Sequence, residues 1–164
     1  MLPDSLTLEV VTPERQLLHE TGVREVQLPG LDGFLGILPG HAPLLTELGI
    51  GELSYRRDGQ RHYAVIVFGF AEVLPDRVSV LAETAERAEE IDVERARAGR
   101  ERAEKLLLAG AGRERAEKLL LAGAGAAEAD WDEVNRALQR ATVRLQAAAK
   151  AGSGAAQREL EPAP

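Results

Sequence analysis

The sequence predicts an α+β protein, in which an N-terminal antiparallel β-sandwich is followed by a C-terminal α-helical hairpin. Up to about residue 82, apolar residues alternate with polar ones or form short runs, which is the pattern of strands. From residue 83 the composition changes to Ala, Glu, Arg and Leu, which are strong helix formers. We therefore assign residues 1–82 to the sandwich, 83–150 to the hairpin and 151–164 to a disordered tail of small and polar residues.

Eight or nine short strands are expected in the first region. Leu6, Leu8 and Val10 alternate with polar residues, and "YAVIVF" is a continuous apolar run. Turn residues separate these segments, as in "TPER", "LPGLDG" and "PGHAP". The pair Asp58-Gly59 is one that a tight β-hairpin prefers. Short strands joined by such turns favour a sandwich or a flattened barrel.

Two helices are expected in the second region. Each carries an apolar stripe at helical spacing, and small residues dominate the first stripe, so that a partner helix can approach closely. The second helix is expected to begin after Asp130, which forms a capping box with Glu133, and to run to about Ala149. The stripe residues are Ala96, Gly99, Ala103, Leu106, Leu107 and Gly110 on the first helix, and Val134, Leu138, Ala141, Leu145 and Ala148 on the second.

The segment "GRERAEKLLLAGA" occurs twice in succession, at residues 99–111 and 112–124, without a difference between the copies. Two short copies do not make a solenoid, and we interpret them as a tandem insertion in the hairpin. Thirteen residues leave a helix rotated by roughly 140°, so the two apolar stripes would not align. We therefore expect a break or kink near residues 109–112, with the second copy forming a short helix or a longer connection.

The composition disfavours several classes of function. The chain has no Cys, which excludes disulfides, thiolate metal sites and thiol nucleophiles, and its formal charge of −7 disfavours nucleic-acid binding. The glycines of "GLDGFLGILPGHAP" lack phosphate-loop spacing, no serine lies in G-x-S-x-G, and the three histidines lack metal-ligand spacing. We expect no catalytic residue, no metal site and no required cofactor. Without a signal peptide or a long apolar run, any membrane role is expected to be peripheral.

Three segments resemble the epsilon subunit of F-type ATP synthases, in that family's order and spacing. They are "GFLGILPGHAPLL" at 33–45, "GELSYRRDG" at 51–59 and "VSVLAETAERAEEIDVERA" at 78–96. The resemblance implies a non-catalytic rotor subunit of the central stalk that binds the gamma subunit, sits on the c-ring and couples proton flow to ATP synthesis. It also implies that the C-terminal helices restrain ATP hydrolysis. The implied location is the cytoplasmic face of the bacterial plasma membrane, with attachment only through the complex.

The resemblance also implies a rotor interface in the loop at 30–45. It places His41 towards gamma and the turn at Phe34 towards the ring. A loop fixed by Gly and Pro, with exposed Phe34 and Leu35, is itself typical of an interface, although an ordinary turn tucked into the sandwich has equal support. The expected interface residues are Gly33, Phe34, Leu35, Gly40 and His41.

The segment "IDVERA" matches the Ile/Leu-Asp-x-x-Arg-Ala motif of family members that bind ATP on the folded hairpin. Arg95 and Arg102 lie seven residues apart on one flank, and two arginines of the second helix would face them; four guanidinium groups suit a polyphosphate. The alternative is a pair of solvated faces laced with Glu–Arg pairs. Regulatory ATP is the cofactor that the resemblance implies, and the candidate residues are Glu86, Ile91, Asp92, Arg95, Ala96, Arg102, Arg140 and Arg144.

The family further implies an extended state, in which the second helix contacts acidic segments of the alpha/beta catalytic hexamer. Arg136, Arg140 and Arg144 would supply the attraction. A ligand that prefers the compact form would shift the population towards it. The alternative to the whole assignment is a non-enzymatic adaptor, unrelated to ATP synthase, in which a β-sandwich is joined to a coiled coil.

Overall fold

The computed structural model describes residues 3–117 and 131–158. Within these ranges the chain forms six strands, a short 3₁₀ turn and two α-helices, which confirms the predicted order of a β domain followed by a helical hairpin. The strands are β1 (Leu6–Val11), β2 (Gln16–Gly30), β3 (Gly33–Ile37), β4 (Leu44–Arg57), β5 (Gln60–Leu74) and β6 (Arg77–Arg87). The 3₁₀ turn is Ala88–Glu90, and the helices are α1 (Val93–Glu117) and α2 (Trp131–Arg158).

The expected eight or nine short strands are in fact fewer and longer. Strands β2, β4 and β5 contain 15, 14 and 15 residues. Strand β5 continues through Gly69, where φ is +135°. A Cβ atom on Gly69 would lie 2.1 Å from the carbonyl oxygen of Leu81 on β6. The glycine therefore marks a close approach of two backbones and not the end of a strand.

The strands form one sheet in the order β1-β6-β5-β4-β2-β3, and β1 also pairs with β2. This additional pairing closes the sheet into a barrel-like sandwich, to which β3 is added as the hairpin partner of β2. The described strand pairs are antiparallel except for β1 and β6, which run parallel, with Leu8 opposite Val78. The predicted antiparallel domain thus contains a parallel pairing at the strand that leads to the helices.

The turn between β4 and β5 confirms the hairpin predicted from Asp58-Gly59. Arg57 pairs with Gln60 across the turn. Both central residues have positive φ, 51° at Asp58 and 75° at Gly59. This is the backbone geometry of a type I′ turn, which suits the twist of antiparallel strands. The turn sets the register that the two strands keep along their length.

The barrel encloses the main hydrophobic core. Leu6, Leu8 and Val10 on β1, with Val78 and Val80 on β6, are at most 1% exposed. Burial of each such side chain contributes roughly 1.5–3 kcal/mol. Alternate residues of both strands point inwards, so the core fixes the position of β6, from which the chain continues to the helices.

Strand β6 extends beyond the predicted end of the β domain at residue 82. Arg87 still pairs with Ala64 of β5, although the local composition favours a helix. Cross-strand pairing therefore outweighs helix propensity in this segment. As a result, α1 begins at Val93 rather than near residue 83.

The two helices pack against each other through small side chains, as the stripes predict. Ala96, Ala103 and Ala141 are all buried. Helix α2 also packs on the barrel, where Ala147 is fully buried in a cluster that includes Val65 of β5. The predicted apolar stripe of α2 did not include Ala147. That prediction considered packing against α1 alone, whereas α2 packs against both α1 and the barrel.

The prediction of disorder from residue 151 is wrong for residues 151–158, which continue α2. Two contacts with the barrel support this part of the helix. The Nζ atom of Lys150 lies 2.8 Å from Oε1 of Glu52, and Ala151 packs against the apolar cluster beneath α2. Composition alone does not reveal such contacts. Residues 159–164 lie outside the described residues.

Helix α1 runs through residues 109–112 without interruption, so the predicted break is wrong. Gly110 and Gly112 each cost about 1 kcal/mol relative to Ala in a helix. The surrounding Ala, Leu, Arg and Glu residues are strong helix formers and outweigh this cost. The rest of the second repeat copy, at 118–124, and the predicted capping residue Asp130 lie outside the described residues.

Candidate functional site

A cleft of about 490 Å³ lies between α1 and α2 near the end of β6. Small residues keep this space open: a Cβ atom on Gly99 would have as its nearest neighbour the Cβ of Ala141, at 4.0 Å. The volume falls in the range of roughly 300–1,000 Å³ that is typical of small-molecule sites. All but one of the residues predicted to bind ATP line the cleft, namely Glu86, Asp92, Arg95, Ala96, Arg102, Arg140 and Arg144.

The exception is Ile91, which is 8% exposed and belongs to the apolar cluster between the barrel and α2. It shares this cluster with Ala88 and Ala147. Its side chain therefore anchors the segment before α1 and does not line the cleft. A direct contact of Ile91 with ATP therefore stays a prediction, without support from the lining of the cleft.

Arg95 and Arg102 form the cationic wall on α1. Their spacing of seven residues is close to two helical turns, so both line the same cleft. Both residues are exposed, and within the described part of the chain neither side chain takes part in an ion pair or a hydrogen bond. Their guanidinium groups are therefore available to an incoming anion.

Asp92 lines the cleft as well, but its carboxylate caps α1. Its Oδ1 atom accepts a 2.9 Å hydrogen bond from the backbone N of Arg95, and its carbonyl oxygen accepts one of 3.0 Å from the N of Ala96. An acidic residue before the first helical position stabilises the helix start. Asp92 thereby places Arg95 in the first turn of α1, at the mouth of the cleft.

Arg140 and Arg144 form the opposite wall on α2, and each is paired with an acid. The Nη2 atom of Arg140 lies 2.5 Å from Oε1 of Glu133, and Nε of Arg144 lies 2.7 Å from Oε2 of Glu86. The hydrogen bond and charge of Arg140, with a smaller contribution from Arg136, hold the pKa of the Glu133 carboxyl below its usual range. The α2 wall is thus neutralised, whereas the α1 wall is not.

The cleft is positively charged on an acidic protein. Four arginines and three carboxylates line it, which gives the lining a formal charge of +1, against −7 for the whole chain. The carboxylates belong to Glu86, Asp92 and Glu133. A local excess of cationic groups attracts anions even where the net charge of the protein is negative.

Sequence reasoning missed Glu133 as a residue of this cleft. The pattern before α2 assigned Glu133 to a capping box with Asp130, which lies outside the described residues. The available signal was its spacing from Arg140, because seven residues bring two side chains to the same helix face. The position of the Glu133 carboxylate also depends on Arg136, whose Nε atom lies 3.2 Å from Oε2 of Glu133.

The three arginines predicted to act in the extended state are all engaged with acids in this compact form. Arg136 and Arg140 share Glu133, and Arg144 pairs with Glu86. Release of α2 from the barrel would therefore separate Arg144 from its partner, whereas the pairs of Glu133 lie within α2 itself.

The predicted rotor loop lies on the barrel, and the groove along β3 shares no lining residue with the cleft. Phe34 is 63% exposed, and Leu31, which lines the same groove, and Leu45 on β4 are exposed too. Leu35, however, packs against the core, so the expectation of two exposed apolar side chains holds only for Phe34. Gly33 begins β3 with a φ of +139°.

Gly40 and His41 form a tight turn after β3. Gly40 has a φ of +81°, and its N donates a 2.7 Å hydrogen bond to the carbonyl oxygen of Pro75. The backbone N of His41 donates to the carbonyl oxygen of Leu38 at 3.1 Å. The first bond fixes the loop against the β5–β6 connection, and the second closes the turn.

The described helices lack the combination of length and apolar character that a membrane-crossing helix requires. Among the side chains that the structure describes, those of residues 3–109 and 131–153, no three His, Asp or Glu are grouped so as to hold a metal ion.

Fold and site together define a β-barrel domain that carries a helical hairpin with an arginine-lined cleft. The family model described as ATP synthase, Delta/Epsilon chain, beta-sandwich domain matches residues 5–88. The chain is 42% identical over 150 residues to the ATP synthase epsilon chain of Geotalea uraniireducens (strain Rf4), covering 92% of this chain and 98% of the relative. It is 56% identical over 104 residues to that of Solibacter usitatus (strain Ellin6076), covering 63% of this chain and 77% of the relative.

A solved structure shares the fold. A chain in the cryo-EM structure of the Euglena gracilis mitochondrial ATP synthase, OSCP/F1/c-ring in rotational state 1, matches with a TM-score of 0.66 and 23% identity. The match covers 93% of this chain and 84% of the other.

The chain belongs to the ATP synthase epsilon chain family. It is a non-catalytic, central-stalk subunit of a proton-translocating ATP synthase. The alternative of an adaptor unrelated to ATP synthase is not supported.

Proposed function

We propose that the cleft binds ATP as a regulatory ligand, and that the nucleotide stabilises the compact hairpin. The observation that carries this proposal is the meeting of Arg95 and Arg102 on α1 with Arg140 and Arg144 on α2 around one cleft. Arginine donates pairs of hydrogen bonds to phosphate in a fixed geometry, and several arginines together suit a polyphosphate.

The two walls have different tasks in this proposal. Arg95 and Arg102 have no acidic partner among the described residues and receive the phosphates first. Arg140 joins them when its bond to Glu133 is exchanged for one to phosphate. Apolar residues of the lining, among them Leu106 and Val134, offer a surface for the base.

The ligand favours the compact form because its contacts come from both helices. An extended hairpin separates the two walls, so ATP binds it more weakly and shifts the population towards the compact form. When ATP is scarce, α2 leaves the barrel, and Arg136, Arg140 and Arg144 contact acidic segments of the alpha/beta catalytic hexamer. The helices then restrain ATP hydrolysis.

The β domain holds the protein in the rotor. We propose that the exposed apolar group of Leu31, Phe34 and Leu45 contacts the c-ring, and that His41 faces the gamma subunit. An exposed apolar patch on a fixed loop supports an interface of this kind. The protein would thereby couple proton flow to ATP synthesis at the cytoplasmic face of the bacterial plasma membrane, attached only through the complex.

Calorimetry on the full-length chain tests nucleotide binding. ATP should release heat with the wild type and with Arg97→Ala, because Arg97 pairs with Glu94 and does not line the cleft. Arg95→Ala and Arg102→Ala should each lose binding by at least about tenfold, the size of one charge-assisted contact. Binding that is the same in all four proteins would reject the site.

Reconstitution with the catalytic hexamer and gamma tests the regulatory role. The triple variant with Arg136, Arg140 and Arg144 changed to Ala should allow faster ATP hydrolysis than the wild type at low ATP. Equal rates would contradict the inhibitory contact.

A further inference from the structure

Glu133 is the acid that lies within the α2 wall of the cleft. Its two carboxylate oxygens contact Arg140 at 2.5 Å and Arg136 at 3.2 Å, and the residue also lines the cleft itself. A carboxylate that engages a guanidinium group uses the same donors that a phosphate would use. An anion that enters the cleft and Glu133 therefore compete for Arg140.

We propose that Glu133 is an internal competitor that sets the affinity of the cleft for polyphosphate, because its carboxylate must leave Arg140 before the ligand can use both walls. This inference rests on the proposed binding of ATP and extends it to the regulation of the same site. The hydrogen bond and charge of Arg140 hold the pKa of the Glu133 carboxyl below its usual range, in keeping with a pair whose carboxylate is ionised.

Exposure and bonding partners together distinguish Glu133 from the other acids of the cleft. Its side chain is 52% exposed, so its carboxylate can turn into water at small cost. Glu86 is 32% exposed and ties α2 to β6 through Arg144, so its displacement would loosen the hairpin. Asp92 caps α1 and cannot leave without exposing the helix start. Glu133 is thus the acid that a ligand can displace while the compact form persists.

Neutralising Glu133 should tighten ligand binding. Glu133→Gln removes the competing charge, and we expect a dissociation constant for ATP about two- to fivefold lower than that of the wild type, the range of a partly exposed charge interaction. Inorganic triphosphate should show the same direction, because the competition concerns phosphate groups and not the base.

The test is calorimetric titration of the full-length wild type, Glu133→Gln and Glu94→Gln with ATP and with inorganic triphosphate. Glu94→Gln is the matched control, because it removes the same charge from an 83% exposed α1 residue that does not line the cleft. Its affinity should stay within twofold of the wild type. Thermal unfolding checks that each variant folds. If Glu133→Gln does not fold, Glu133→Asp serves instead, since it keeps the charge at the helix start but withdraws it from Arg140.

The outcomes separate the two proposals. Tighter binding by Glu133→Gln alone supports the competitor, as does binding by this variant when the wild type shows none. If the wild type binds in an Arg95-dependent manner but Glu133→Gln binds equally or more weakly, the competitor is rejected and the ATP site stands. If neither protein binds either ligand, both proposals are overturned.

Discussion

Replacement of Gly99 by alanine measures how closely the two helices pack at the cleft. Alanine is better than glycine by about 1 kcal/mol inside a helix. The new methyl group would also lie 4.0 Å from the Cβ of Ala141, which is ordinary contact without a clash. Burial of one methyl group adds up to about 0.8 kcal/mol. Gly99→Ala should therefore raise the free energy of unfolding by about 1 to 2 kcal/mol.

The methyl contact exists only while the helices are packed together. It should therefore favour the compact over the extended form by up to about fourfold, which corresponds to 0.8 kcal/mol. Gly152→Ala is the matched control, because Gly152 lies in α2 with no atom within 4 Å of a Cβ built on it.

Urea unfolding followed by far-ultraviolet circular dichroism compares the two variants. Gly152→Ala should gain about 1 kcal/mol from helix propensity alone. Equal gains in both variants would show that α1 and α2 do not pack at this point. A loss of stability in Gly99→Ala would show that they lie closer than the structure places them.

Two further changes test the attachment of α2 and the interior of the barrel. Lys150→Met should lower the free energy of unfolding by about 1 to 3 kcal/mol in urea titrations, because Glu52 is 16% exposed and loses its cation; Glu52→Gln in the same chain should restore part of the loss. Burial, aided by the charge of Glu20, raises the pKa of Tyr55 to about 12. The neutral Tyr55 side chain therefore stabilises the fold below about pH 10, and this stabilisation is lost as the pH rises through 12. Between pH 9 and 11.5 the wild type should lose about 1 to 2 kcal/mol more than Tyr55→Phe; equal losses would contradict this.

Local signals in the sequence predicted much of the fold. The Asp58-Gly59 pair determines its own turn geometry, and the change from alternating to helical periodicity separates the two regions. The number of strands was not predicted correctly, because strands such as β5 continue through positions like Gly69, where the backbone of β6 approaches closely. Helix α2 likewise extends past residue 150 because of contacts with the barrel.

The residues of the candidate site likewise include some that the sequence predicted and some that it did not. The four arginines were predicted from the resemblance of "IDVERA" and of positions farther along both helices to the ATP-binding members of the family, and the structure brings them to one cleft. Glu133 was missed, although its spacing of seven residues from Arg140 places both on one face of α2. That this face lines the cleft depends on how the two helices face each other. Ile91 faces the barrel, because the segment before α1 has to close the apolar cluster beneath α2.

We propose that ATP holds the hairpin on the barrel. The chain contains no cysteine, so spin labels at Asp58→Cys and Gln146→Cys report the distance between the β4–β5 turn and α2 specifically. Saturating ATP should increase the population at the short, compact distance, and the same pair carrying Arg95→Ala should not respond. A distance distribution that stays unchanged, although calorimetry shows that ATP binds, would contradict the claim.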